Sequence, residues 1–162
     1  MNKEQSGRLE QLEAKVKALR EGFIGEQEVR AGRFVVLDGK GQVRAELGPN
    51  GQGAMALELR NEEGQTQAVL GVHPSGSPFL LLLGSEGQPR LGVHVDPGGS
   101  PAIMLMGSDM KPRIRLAEKD GGSQVALLDG EGRVRAAISV LPDGTPGVLT
   151  FDESGQIIGA EE

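Results

Sequence analysis

Apolar residues along this chain follow two different periods, one before residue 24 and one after residue 33. Leu9, Leu12, Val16, Leu19 and Phe23 are spaced 3, 4, 3 and 4. That is the seam of a heptad, with Leu9, Val16 and Phe23 at a and Leu12 and Leu19 at d. Good helix formers such as Glu10, Glu13, Ala14, Lys15 and Lys17 lie between them, and Gly22 and Gly25 close the segment. The pattern predicts a coiled-coil helix over residues 1–25, with these five apolar positions as its oligomerisation seam. A lone helix of about 20 residues, roughly 30 Å long, is marginal in water, so the seam requires a partner. An amphipathic helix packed on its own chain's sheet is the alternative, but an a/d stripe is narrower than a core-facing helix usually shows. In a parallel register Arg8 meets Glu13 of a neighbour favourably and Lys15 meets Arg20 unfavourably, so the flanking charges do not set the copy number. Val16 at a with leucines at d leans toward a dimer.

Beyond residue 33 the period is two, interrupted by turns. Asp38-Gly39-Lys40-Gly41, Asn61-Glu62-Glu63-Gly64, Gly84-Ser85-Glu86-Gly87, Asp129-Gly130-Glu131-Gly132 and Asp152-Glu153-Ser154-Gly155 share one form, and Gly107-Ser108-Asp109-Met110 is a degenerate copy. Their last positions, 41, 64, 87, 110, 132 and 155, are separated by 23, 23, 23, 22 and 23 residues. Asp or Asn opens a type I turn, and Gly41, Gly64, Gly87, Gly132 and Gly155 take the left-handed position that ends it. Met110, at the equivalent place, predicts a distorted hairpin or a different turn. About 12 residues after most of these glycines comes a second turn, as in Pro97-Gly98-Gly99-Ser100-Pro101 or Asp120-Gly121-Gly122-Ser123, with a shorter version at Pro49-Asn50-Gly51 in the first repeat. Each repeat therefore reads as strand, tight turn, strand, second turn.

Strands before the first turn are apolar at both alternate sets: Leu80 and Leu82 on one side, Leu81 and Leu83 on the other. Only the second repeat, with Glu58 and Arg60, breaks the second set. Strands after the turn are one-sided, with Leu91, Val93 and Val95 opposing Arg90, Gly92 and His94. Two-sided strands need cover on both faces. Two-stranded units of this size cannot bury a core, so the repeats are expected to stack and to meet other subunits. The expected fold is mainly β: a coiled-coil helix (1–25), a domain of six two-stranded repeats (26–159) forming an oligomeric β-prism or stacked assembly, and an acidic tail (160–162).

The string from Phe34 to Gly48, FVVLDGKGQVRAELG, resembles the unit of uncharacterised bacterial proteins that place DxxGxxRAxLG β-repeats behind a short coiled coil. The resemblance covers nearly the whole chain and is informative about architecture alone. More distantly, a coiled-coil stem leading into Gly-rich β-repeats is similar to trimeric phage fibres and stalks, which implies a homotrimer of parallel chains.

Composition narrows the functional classes. Glycine and proline make up roughly a fifth of the chain, a level that without period signals disorder; the fixed spacing makes them turns. Without cysteine, disulfides and thiolate metal sites are excluded. The N-terminus lacks a signal-peptide core and the longest apolar run, Phe79 to Leu83, is strand-sized, so membrane insertion is not expected and the default location is the cytoplasm or a larger particle or filament assembled there. Residues 1–33 carry a net charge of +1 and the remainder −7. An acidic, aromatic-poor β region is a poor partner for nucleic acid.

Few residues suggest chemistry. His73 and His94 fall at non-equivalent repeat positions; a ring of imidazoles on a three-fold axis is conceivable, and ordinary surface histidine is the plainer reading. The acidic turns match no calcium-loop spacing, and Asx-turn chemistry explains them. No nucleophile–base constellation or phosphate loop is present, so neither catalysis nor a cofactor is expected. Arg44, Arg90, Arg113 and Arg135 recur after the turns. As a column they could read an anionic ligand; the alternative is pairing with acidic neighbours such as Glu46 and Glu118. The sequence thus points to a non-enzymatic structural oligomer, with a binding module (an adhesin or glycan reader) as the second class, weakened by the absence of Trp and Tyr platforms.

Overall fold

The computed structural model describes residues 3–21 and 30–161, in two compact units that divide between Gly32 and Arg33. In the first unit Lys3–Glu21 form helix α1. Leu9, Leu12 and Val16 are about half exposed along it. Leu19 lies in the same helix, and Phe23 lies outside the described residues.

The second unit holds twelve strands: β1 (Phe34–Leu37), β2 (Val43–Pro49), β3 (Met55–Arg60), β4 (Thr66–Val72), β5 (Pro78–Leu83), β6 (Pro89–Val95), β7 (Pro101–Met106), β8 (Pro112–Lys119), β9 (Gly122–Leu128), β10 (Val134–Val140), β11 (Pro146–Phe151) and β12 (Ile157–Glu161). They form one open antiparallel sheet in which every strand pairs with its sequence neighbours. The repeats do not stack on each other within the chain. The outer strand of each hairpin offers a free ladder edge, and a short connection brings the next hairpin onto that edge, so the six units fuse side by side into a single layer. Ala160 and Glu161 pair with Leu149 and Val148; the end of the chain, set apart by its charge in the sequence, continues the last strand.

Ten of the eleven connections between described strands share one geometry. In each, the first residue's N–H donates to the carbonyl of the fifth, and the fourth residue's N–H donates to the carbonyl of the first, as in Asp38 N to Gln42 O (2.9 Å) and Gly41 N to Asp38 O (3.0 Å). This is a type I turn closed by a left-handed residue, the usual three-residue hairpin. Glycine fills the left-handed place in nine of them, from Gly53 at φ +78° to Gly99 at φ +92°. The Asn50–Ala54 turn has the same five-residue form as the rest and is not a shorter version.

Met110 corrects the expectation of a distorted hairpin. It adopts φ +60° and donates to Gly107 O at 3.1 Å, so the turn is the same and the methionine bears the strain. The exceptional connection is β8–β9. Lys119 pairs directly with Gly122, and Asp120 and Gly121 between them both have positive φ, +54° and +81°. That is a two-residue type I′ turn, for which Asp-Gly is a favoured pair. It uses one residue fewer than the others, which accounts for the single 22-residue gap in the repeat.

Two substitutions test this geometry. A left-handed non-glycine residue costs about 1–3 kcal/mol, whereas glycine's added freedom in the unfolded chain costs about 0.5–1 kcal/mol. Met110→Gly is therefore expected to raise the melting temperature, by about 1 kcal/mol of stability, and Gly87→Val to lower it by about 1–3 kcal/mol. Thermal melts that leave Gly87→Val equal to the parent contradict the turn assignment.

Candidate interaction surface

In an antiparallel ladder, residues paired across strands point to the same face and alternate residues point to the other. Following the pairs across the sheet gives one row on one face: Phe34, Leu47, Leu57, Leu70, Leu80, Val93, Ile103, Leu116, Val125, Ile138 and Val148, ending at Glu161 on β12. A second row on that face runs through Leu59, Ala68, Leu82, Leu91, Leu105, Ile114 and Leu127. This aliphatic face lies open. Leu70 is 55% exposed and Ile138 61%, and Leu47, Leu82, Ile103, Leu116 and Val125 are also exposed. Between β6 and β10 it forms a concavity of about 440 Å³ lined by Val93, Ile103, Leu116, Val125, Ile138 and Val140 among others.

The opposite face is built differently. All six buried hydrophobic residues among those described belong to it or to its turn: Ala54, Ala56, Val69, Phe79, Ala126 and Ala137. Small residues sit opposite large ones, with Gly71 against Phe79 and Gly92 against Leu81 and Met104. Phe79 lies flat over Gly71, whose place has no room for a side chain: an added Cβ would stand 3.0 Å from the Phe79 ring and 2.8 Å from the Met55 carbonyl oxygen. The two histidines flank the same ring. His73 stacks on Phe79 with centroids 4.3 Å apart, and His94 pairs with it across β5 and β6. No group of three or more His, Asp and Glu side chains gathers among the described residues. Glu58, the apparent break in this face, stands directly opposite Glu46. Arg60 reaches both carboxylates, at 3.1 and 3.5 Å, and Arg33 also pairs with Glu46. This face therefore covers part of itself by laying its few large side chains over glycine and alanine.

The recurrent arginines have a common structural origin. In every hairpin closed by one of the first turns the register slips by one residue: Leu83 pairs with Pro89 and Leu82 with Leu91. The unpaired residue of this β-bulge is Arg44, Arg90, Arg113 or Arg135 in four hairpins, and Gln67 or Ile158 in the other two. Bulges re-aim side chains, and three of these arginines turn back to their own turn. Arg113 meets Asp109 at 2.8 Å, while Arg44 and Arg135 approach Asp38 and Asp129 at 3.7 and 3.8 Å. Arg44 also donates to the Arg60 carbonyl at 3.1 Å. Their carboxylate partners are thus turn aspartates; Glu118 instead accepts from the Gly121 N–H. Arg90 follows the turn Gly84-Ser85-Glu86-Gly87, in which Glu86 stands where Asp109 does and accepts from the Gln88 side-chain amide at 3.5 Å. The regular offset of three residues after each turn was the sequence signal for this role. No helix among the described residues is long and apolar enough to cross a membrane.

No family model and no curated protein matches the chain. Among solved structures, the wild-type TCP10 domain of Danio rerio CPAP, in complex with a peptide of Danio rerio STIL, is similar over 80% of this chain and 74% of that chain. The identity is 16% and the TM-score 0.34.

The turn aspartates make stability depend on acid. The Gln42 N–H, then the Lys40 N–H and the Arg44 guanidinium, hold the Asp38 carboxyl below the usual carboxylate range against some loss of hydration. Asp109 is lowered first by Arg113, Asp143 by the Thr145 N–H, and Asp152 by the Ser154 hydroxyl. For Asp129 lost hydration is the largest influence and acts upward, but hydrogen bonds from Arg133 and Glu131 outweigh it. Protons therefore bind the unfolded chain more tightly than the folded one. The stability these groups supply is complete above the unfolded value near pH 4 and is lost as pH falls through the lower folded values. Asn50 and Asn61 make the same two backbone contacts without a charge. Melting temperature is expected to fall between about pH 5 and about pH 2, and to fall less in a variant with Asp38, Asp129 and Asp152 changed to Asn. A parent whose melting temperature is flat across that range contradicts the assignment.

Proposed function

We propose that this chain is a non-enzymatic structural module that assembles with copies of itself, as a parallel homotrimer whose helices align the chains and whose sheets form the walls of a prism-like fibre or stalk component. Exposed aliphatic surface carries the reading. On the sheet Leu47, Leu70, Ile103, Leu116, Val125 and Ile138 are all exposed, whereas a compact monomer buries most of its large aliphatic side chains. A one-layer sheet leaves both faces in water, and so many exposed aliphatic side chains are stable partners for other protein surface. The half-exposed seam of Leu9, Leu12 and Val16 presents the same need on a second element. Similarity to trimeric fibre stalks makes three the expected copy number. A reader of anionic ligands has less support, because three of the four recurrent arginines already face turn aspartates.

Sedimentation equilibrium of the whole chain is expected to give three times 17.0 kDa; a 17.0 kDa monomer at micromolar concentration contradicts the proposal. The short helix sets alignment and the sheet holds the assembly, since fewer than three heptads bind weakly. Removing residues 1–24 is accordingly expected to leave both the β circular dichroism and the oligomer in place. A monomeric truncation would assign the assembly to the helix.

A further inference from the structure

We infer that the aliphatic face, and not the small-residue face, is the surface that meets a second copy of this chain; this rests on the self-assembly reading. Its central row, from Phe34 to Val148, crosses eleven of the twelve strands without a charge. Twelve strands about 4.8 Å apart, each with about 17 Å of paired length, present roughly 950 Å² on one side. A stable interface needs about 800 Å² from each partner.

A copy of this chain fits that face better than other occupants. The two aliphatic rows carry no cation for a nucleic acid or an anionic headgroup, Glu118 beside the concavity adds a negative charge, and the chain beyond residue 33 is acidic. The 23-residue repeat sets similar aliphatic side chains at the same spacing all along the sheet, so two copies share a pitch and interdigitate as packed sheets do. The concavity around Leu116 and Val125 gives the opposing side chains a place to enter. On the other face Phe79 and the alanines around it are already buried within one chain, leaving less to gain from a partner.

Leu70→Lys with Ile138→Lys places two charges where the single chain is open, so folding tolerates them while a packed interface does not. This variant is expected to keep β circular dichroism and to dissociate, with the association weakened by at least about 100-fold. Met104→Lys with Leu149→Lys, on the opposite face, is expected to assemble like the parent. If the first variant fails to fold, Leu70→Thr with Ile138→Thr keeps strand propensity and is expected to weaken association in the same direction. An oligomeric parent that survives the aliphatic-face changes, or loses assembly through Met104 and Leu149 instead, overturns the face assignment alone. A parent that is monomeric, or that stays monomeric and floats with phosphatidylcholine vesicles, overturns the self-assembly reading and this inference together.

Discussion

Register is the constraint on which this structure depends. Side chains alternate with a period of two, so a slip of one residue at any hairpin would turn every following aliphatic row to the opposite face. The five-residue turn prevents this. Its two backbone bonds fix where the strands meet, and the side chain of Asp38, Asn50, Asn61, Asp129 or Asp152 captures the N–H groups two and four residues ahead. Even the β8–β9 connection obeys the rule: its type I′ turn omits a residue but keeps Val125 beside Leu116. The bulge beside each first turn likewise slips the local pairing without disturbing the central row.

The two faces solve the exposure of a single layer in different ways. One lays Phe79 over Gly71 and surrounds it with alanines, sealing a small apolar patch within the chain. The other sets leucine, isoleucine and valine opposite one another along its central row, and it stays open. The open ends of the sheet are short: β1 has four residues and β12 five, which limits edge-to-edge pairing. The proposed self-assembly is thus better supported through the face than through the edge.

Much of this was legible in the sequence because turns and alternation are local. The positions of the first turns, the glycines at positive φ and the pairing of Phe34, Leu57 and Leu80 with the same face follow from spacing alone. What was not legible was nonlocal or turned on a single residue. Stacking of repeats was expected because a hairpin cannot bury a core, yet the hydrogen bonds of the free edge can be met by the next hairpin with no second layer at all. The distinction between Asn50–Ala54 and Asp120-Gly121 was missed because glycine serves both turn types, and only the left-handed state of Asp120 itself marks the shorter one. The arginines showed their period but not their partners, since bulge geometry, not sequence distance, aims them at the turn aspartates.

Coverage of the aliphatic face by another copy is the central claim, and the absence of cysteine from the chain allows it to be read directly. Val125→Cys places a thiol on the central row and Ser139→Cys places one on the opposite face, each with little change in volume. In the assembled protein, alkylation of the thiol at 125 is expected to be at least about tenfold slower than at 139, and to accelerate when dilution separates the copies. Equal rates at the two positions in the assembled protein, unchanged by dilution, would contradict the account.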